Sequence, residues 1–275
     1  MTAGTGIEAQ HETLHPQQPI LSQGELLMKI DAKGLYYQEL NRQVKEAVAN
    51  GAETIELDNV NGQYFIGDGI NKPVTITING VPGNDLAAFM NGATIVVREN
   101  GQDNIGNTMN AGKVVVHGHA GDVLGYGMRG GRLHILKDVG YRVGIHMKSY
   151  QENKPVLIAG GKAGDFFGEY MAGGVLVLLD MFSDAPDNVR HGFCLGTGMH
   201  GGVIFVRGGV DESRLAKEVG VFEPTAEDLQ ELTGYLQEYC ADFGIDCAEV
   251  LGERFVKVLP KSTRPYGNMY CAMPR

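Results

Sequence analysis

The amino-acid sequence predicts an all-β chain: a right-handed parallel β-helix of single-stranded coils, with helical additions at its N- and C-terminal ends. Three observations carry this. Glycine supplies 40 of 275 residues while apolar content stays at 43%, against an ordinary glycine share of about 7%. The excess therefore serves repeated backbone geometry and not disorder. A methionine recurs in one phase of a 19-residue repeat. A strand-like aliphatic run then follows nearly every copy.

The repeat is carried by "GQDNIGNTMNAGKVVVHG", "GDVLGYGMRGGRLHILKD", "GYRVGIHMKSY", "GDFFGEYMAGGVLVLLDM" and "GFCLGTGMHGGVIFVRGG". These place Met109, Met128, Met147, Met171 and Met199 on one phase, after Met90 in a degenerate copy. The steps from Met90 to Met147 are 19 residues each, and the next two are 24 and 28. The added length falls in "YQENKP" and "SDAPDNVRH", which read as loops projecting from a regular body. Gly106, Gly125, Gly144, Gly168 and Gly196 lie three residues before their Met, and Gly112, Gly131, Gly174 and Gly202 lie three after. Each unit reads as corner, short segment, corner, strand. It is too short for a propeller blade of about 40–45 residues and shows no helical face. It suits one β-helix coil, whose strands stack at about 4.8 Å.

The elements follow in order. Residues 1–27 form an N-terminal arm, 28–210 a β-helix with an N-terminal helix, and 211–275 a C-terminal helical cap and tail. The first helix is "LYYQELNRQVKEAVANG", with Leu40, Val44, Ala47 and Val48 on one face and Gly51 as its stop. "TIELDNV" is a strand leading to a first coil at "NGQYFIGDGI". Within the coils the methionines point inward. The residues after them, Asn91, Asn110, Arg129, Lys148, Ala172 and His200, are mostly polar and point outward. Asn84, Asp103, Asp122 and Asp165, six before the methionine, suit Asx turns at a corner; a stacked carboxylate ladder is the alternative. After Gly209, "EPTAEDLQELTGYLQEYCADFG" is a helix opened by a Thr225–Asp228 capping box and stopped by Gly244. "CAEVLG" adds a helical turn and "ERFVKVLP" a short strand. Such elements are expected to cover an end of the β-helix, whose open strands would otherwise pair promiscuously.

Composition excludes several functions. A net charge of -10 and a pI near 5.3 argue against nucleic-acid or anionic-membrane partners. No apolar run approaches a membrane helix, and the first residues lack a signal-peptide pattern, so a cytoplasmic location is expected. Cys194, Cys240, Cys247 and Cys271 form no C-x-x-C pair, which suits reduced thiols and not an iron–sulfur or zinc site of this chain's own. "GYGMRGG" and "GTGMHGG" match G-x-G-x-x-G, yet strands follow where a nucleotide site needs a helix. His117, His134, His146 and His200 occupy different positions of the repeat, so no histidine cluster is expected. No G-x-S-x-G is present, and Asp187 with His191 on one loop is a weak acid–base pair. A carbohydrate-active β-helix enzyme would use a groove with aromatic platforms, and this chain has no Trp. No catalytic, cofactor-binding or metal-ligating residue is therefore assigned.

The repeat resembles the GXGXG domain that ends the large subunit of glutamate synthase. "ELNRQVKEAVANGAETIELDNVNGQYFIGDGI" is similar to the start of the stand-alone version, found where the large subunit is split. "DLQELTGYLQEYCADFGIDCAEVLGERFVKVLP" and "TRPYGNMY" are similar to its tail. The resemblance covers about residues 28–270. It implies a non-catalytic scaffold for glutamine-dependent glutamate formation from 2-oxoglutarate. Its expected partners are a class II glutamine amidotransferase subunit and a synthase subunit that carries FMN and an iron–sulfur cluster. This chain would hold no cofactor itself. The equivalent scaffold of an N-methylglutamate synthase or of a formylmethanofuran dehydrogenase is the alternative within the same repeat family.

Overall fold

The computed structural model describes residues 20–22, 25–182 and 190–262. The chain opens with strands β1 (Ile20–Ser22) and β2 (Glu25–Asp31), helix α1 (Tyr37–Ala49), then β3 (Thr54–Asn61) and β4 (Thr75–Val81). The repeats give β5 (Asn91–Val97), β6 (Ala111–Val116), β7 (Arg132–Ile135), β8 (Val156–Ala159), β9 (Ala172–Leu178) and β10 (Gly201–Arg207). The chain continues through β11 (Val219–Phe222), α2 (Ala226–Phe243), α3 (Cys247–Leu251) and β12 (Phe255–Pro260). All strands share one 12-stranded sheet. From β2 to β10 each strand pairs in parallel with the next one in sequence. One strand per coil, stacked in chain order, is a parallel β-solenoid, as the repeat predicts.

Register puts like on like. Ile55, Ile76, Ile95, Val114, Leu133, Leu157, Leu176 and Ile204 form one inner column, and every member is fully buried. The methionines from Met90 to Met199 are buried in the same core. Ile66, Leu86, Ile105, Leu124, Val143, Phe167 and Leu195 of the corner segments join it there. Each such side chain stabilises the fold by about 1.5–3 kcal/mol against exposure. A unit of 19 residues supplies only a few of them, so no single coil holds alone.

The two ends are closed differently. Leu40, Val44, Ala47 and Val48 of α1 join the inner core, so this helix plugs the N-terminal end. Antiparallel β1 pairs with β2. At the other end β12 pairs antiparallel with β10, and β11 with β12; Val219, Val256 and Val258 complete the core there. Helix α2 begins with the expected capping box at Thr225 and Asp228 and ends at left-handed Gly244. Its position corrects the expected end cap. Leu232, Leu236, Tyr239 and Cys240 instead form a second core with Val156, Ile158, Val175, Val177 and Phe205, on the outer side of β8–β10. Strand pairing already satisfies the C-terminal end. The unsatisfied surface is the apolar outer face, and that is what the helix covers.

Candidate interaction surfaces

The corners make the first surface. In each, residues of positive φ stand five, three and one positions before the methionine: Asn104, Gly106 and Thr108, then Val123, Gly125 and Gly127. Arg142, Gly144 and His146, and Phe166, Gly168 and Tyr170, repeat the pattern. Glycine holds the central position in the five corners from Met109 to Met199, where a Cβ would point inward, and only the small Ala87 replaces it in the Met90 corner. At Gly144 a Cβ would lie 2.6 Å from Leu176 Cδ1. At Gly127 of the outward column the nearest atom is Thr108 Oγ1 at 3.8 Å, so side chains are tolerated. The G-x-G-x-x-G matches at Gly125 and Gly196 are thus solenoid corners followed by β7 and β10. No helix N-terminus is present there to receive a phosphate.

The Asx members of the corner face work across coils. Asn84 Oδ1 accepts the Asp103 N–H at 3.3 Å, Asp103 Oδ1 that of Asp122 at 2.8 Å, and Asp122 Oδ1 that of Tyr141 at 2.8 Å. Asp165 Oδ1 does the same for Phe193 at 2.7 Å. The expected Asx turns within a corner are therefore replaced by a ladder from each coil to the next. An N–H left open by the tight corner needs an acceptor, and the next coil below offers one. The ladder uses Asp122 and Asp165 structurally.

Between these columns the face is aromatic. Phe89 (55% exposed), Tyr126 (40%), Tyr170 (39%) and Phe193 (55%) stand outward with Tyr64, Phe65 and Tyr141. His146 stacks on Tyr170 with ring centroids 5.3 Å apart and meets Tyr126 edge-on at 5.8 Å. A row of exposed rings on rigid backbone is the composition of an interface core and is uncommon on free surface.

The second surface is the seam under α2. His134 is fully buried, and its Nδ1 lies 2.7 Å from Asp242 Oδ2. Asp242 Oδ1 accepts from Lys113 Nζ at 2.8 Å, and Glu238 meets Arg132 at 3.1 Å. Burial alone would raise the Asp242 pKa, but the bonds from His134 and Lys113 outweigh it and hold the carboxyl below its ordinary range. This acid–histidine pair was invisible in sequence because its members lie 108 residues apart. Its free nitrogen, His134 Nε2, is enclosed by protein, so no substrate reaches it; the pair clamps the helix.

The other predicted positions do not converge. His117 lies beside Arg98, His119 beside Asp138, and His200 bonds the Gly198 carbonyl. His191 is buried, and burial lowers its pKa. Asp187 lies outside the described residues, as does Cys271. Cys194 sits at a corner, while Cys240 and Cys247 meet between α2 and α3. Among the described residues no three His, Cys, Asp or Glu side chains are arranged to hold a metal ion. Likewise, no described helix is long and apolar enough to cross a membrane.

Comparison with known proteins agrees with this architecture. The chain is 48% identical over 248 residues to an uncharacterized protein of Methanocaldococcus jannaschii, covering 88% of this chain and 95% of that one. A chain of the formyltransferase/hydrolase complex of Methylorubrum extorquens, solved with methylofuran, has the same fold at a TM-score of 0.57 and 18% identity. That match covers 83% of this chain and 89% of the other. The model of the GXGXG motif family matches residues 32–264, from the turn before α1 to beyond β12, and the chain belongs to that family.

Proposed function

We propose that this chain is a non-catalytic scaffold subunit of a glutamate synthase-type complex. The single observation that carries the reading is the family match over residues 32–264. It takes in the terminal elements that resemble the split glutamate synthase large subunit, and not the solenoid alone. The partners are an amidotransferase subunit that releases ammonia from glutamine and a synthase subunit that uses it on 2-oxoglutarate. FMN and an iron–sulfur cluster reside in the latter. The donor groups of this chain fit that division, because Cys240 and Cys247 meet between α2 and α3 while Cys194 lies apart at a corner, and α2 buries the one histidine–carboxylate pair of the seam. The complex works in the cytoplasm.

A second reading has its own support. The fold is shared with a chain of a formyltransferase/hydrolase complex, and a scaffold role in that class of assembly is the alternative. Affinity purification of the tagged chain from its own host distinguishes the two. An amidotransferase with a flavin and iron–sulfur partner supports the first, and formyl-transferring partners support the second. A chain recovered alone and monomeric overturns both.

A further inference from the structure

We infer that the N-terminal half of the corner face is where a partner subunit docks, through a protein segment carrying arginine or lysine side chains. This rests on the scaffold reading above and goes further by naming the face and the chemistry of what covers it.

The corner columns are aligned by hydrogen bonds between coils, from Phe65 to Asn84, Asp85 to Asp103, Asn104 to Asp122 and Val123 to Tyr141. In the first four coils the corner segments read "YFIGDG", "NDLAAF", "DNIGNT" and "DVLGYG". They contain Asp68, Asp85, Asp103 and Asp122 and no Lys or Arg. Exposed Tyr64, Phe65, Phe89 and Tyr126 stand among these carboxylates. A concavity of about 460 Å³ opens between Asn84, Asp103, Asp122 and Tyr126.

The C-terminal half of the same face shows how this chain completes such a pattern. There Arg142 lies 4.7 Å over the Phe166 ring and pairs with Glu169. Arg214 lies 4.4 Å over Phe193 and pairs with Asp211. A guanidinium on an aromatic face beside a carboxylate satisfies both neighbours at once. From Asn84 to Gly127 the corner segments present rings and carboxylates with no Lys or Arg of their own. Of the basic side chains that α1 brings beside Phe65 and Asp68, Arg42 is held by Glu39 and Glu46, and Lys45 serves only that first coil. The missing component is a cation supplied from outside to these exposed rings and carboxylates.

The ladder provides a variant that removes charge and keeps the fold. Asn84 already serves as a ladder acceptor, so Asp103→Asn and Asp122→Asn retain that bond. With Asp85→Asn they remove three charges. The complex recovered from the host is dissociated, and rebinding of the partner to wild-type and triple-variant chain is measured over a salt series. The expected result is a loss of at least about tenfold in affinity for the variant, with a shallower salt dependence. Thr77→Asp on the strand face is expected to leave affinity unchanged. If the wild type recovers no partner, the scaffold reading itself fails. If partners bind the triple variant with wild-type affinity and salt dependence, the docking face is elsewhere. If the variant loses self-association in sedimentation while still binding the partner, the occupant is a second copy and the inference is overturned. A wild-type affinity that does not change with salt also overturns it, whatever the stability of the variant.

Discussion

The two halves of the outer strand face share one register and one inner core, yet they differ in what they show to the outside. Along β3, β4 and β5 the outward residues are Thr54 and Glu56, Thr75 and Thr77, Thr94 and Val96. Along β8, β9 and β10 they are Val156 and Ile158, Val175 and Val177, Val203 and Phe205. The first set alternates with buried aliphatics, the pattern of a sheet wet on one side; the second is continuous, the pattern of a sheet covered on both. Lys113, Arg132 and His134 mark the border in β6 and β7, and each meets a carboxylate on the edge of α2. The difference teaches that the solenoid core is sufficient for the coil. Whether a helix lies on top is decided by the outward residues alone.

The strongest way to break the comparison is to place one charge at the same register position in each half. Val177→Asp buries a carboxylate under α2, where Val177 is fully buried. The expected loss is about 4 kcal/mol or more, read as a lower denaturant midpoint with release of the helix. Thr77→Asp on the open half is expected to stay within about 0.5 kcal/mol.

The inner wall gives the next largest effect, and it tests whether the halves are equally tight inside. Gly144 and Gly106 are both left-handed, at φ 75° and 73°, so alanine brings the same backbone cost of about 1 kcal/mol. The added Cβ would meet Leu176 Cδ1 at 2.6 Å in the first and Leu133 Cδ2 at 3.4 Å in the second. Gly144→Ala is therefore expected to cost about 2–3 kcal/mol and Gly106→Ala about 1 kcal/mol. Thermal unfolding of the pair checks this.

The coil, its period and its inward methionines were legible because one residue type recurs where only it fits, as at Met109 and Gly125. The strands β6, β7, β9 and β10, both long helices and the Thr225 cap were legible for the same local reason, while β8 was hidden behind the insertion after Met147. The backbone of the corners was not. Thr108, His146 and Tyr170 hold left-handed conformations that their side chains disfavour, and they do so because hydrogen bonds from neighbouring coils fix the chain. The direction of the Asp103–Asp122 bond was also hidden, since an Asx turn and a ladder use the same residue type. The seat of α2 depends on Phe205 and Val177 lying beside Val156 and Ile158, a fact of register and not of spacing. His134 and Asp242 meet only once that register and that seat are set.

A smaller effect isolates one bond of the seam. The Tyr239 hydroxyl donates to the Ile135 carbonyl at 3.2 Å from a fully buried ring. Tyr239→Phe keeps the ring against His134 and removes the bond. The expected cost is about 1 kcal/mol in chemical unfolding. A cost near zero would mean that packing alone holds the helix.

The smallest effect concerns acid, and its sign follows from the clamp. The Asp242 carboxyl is held below its ordinary value of 3.8 by His134 and Lys113, against the opposing influence of burial. The unfolded chain therefore binds the proton first as pH falls. The stability that Asp242 contributes is fully present above its unfolded pKa of 3.8 and is lost as pH falls through the lower folded value. Loosening of α2 from this cause is thus expected below about pH 4 and not between 5 and 7. Denaturant unfolding, followed against pH in wild type and Asp242→Asn, separates this from a general acid effect. The variant should be less stable at neutral pH and should lack the wild type's additional loss below 3.8. An equal acid response in both chains would assign the loss to other carboxylates and leave the seam held by its apolar contacts, as the continuous outward face of β8–β10 already favours.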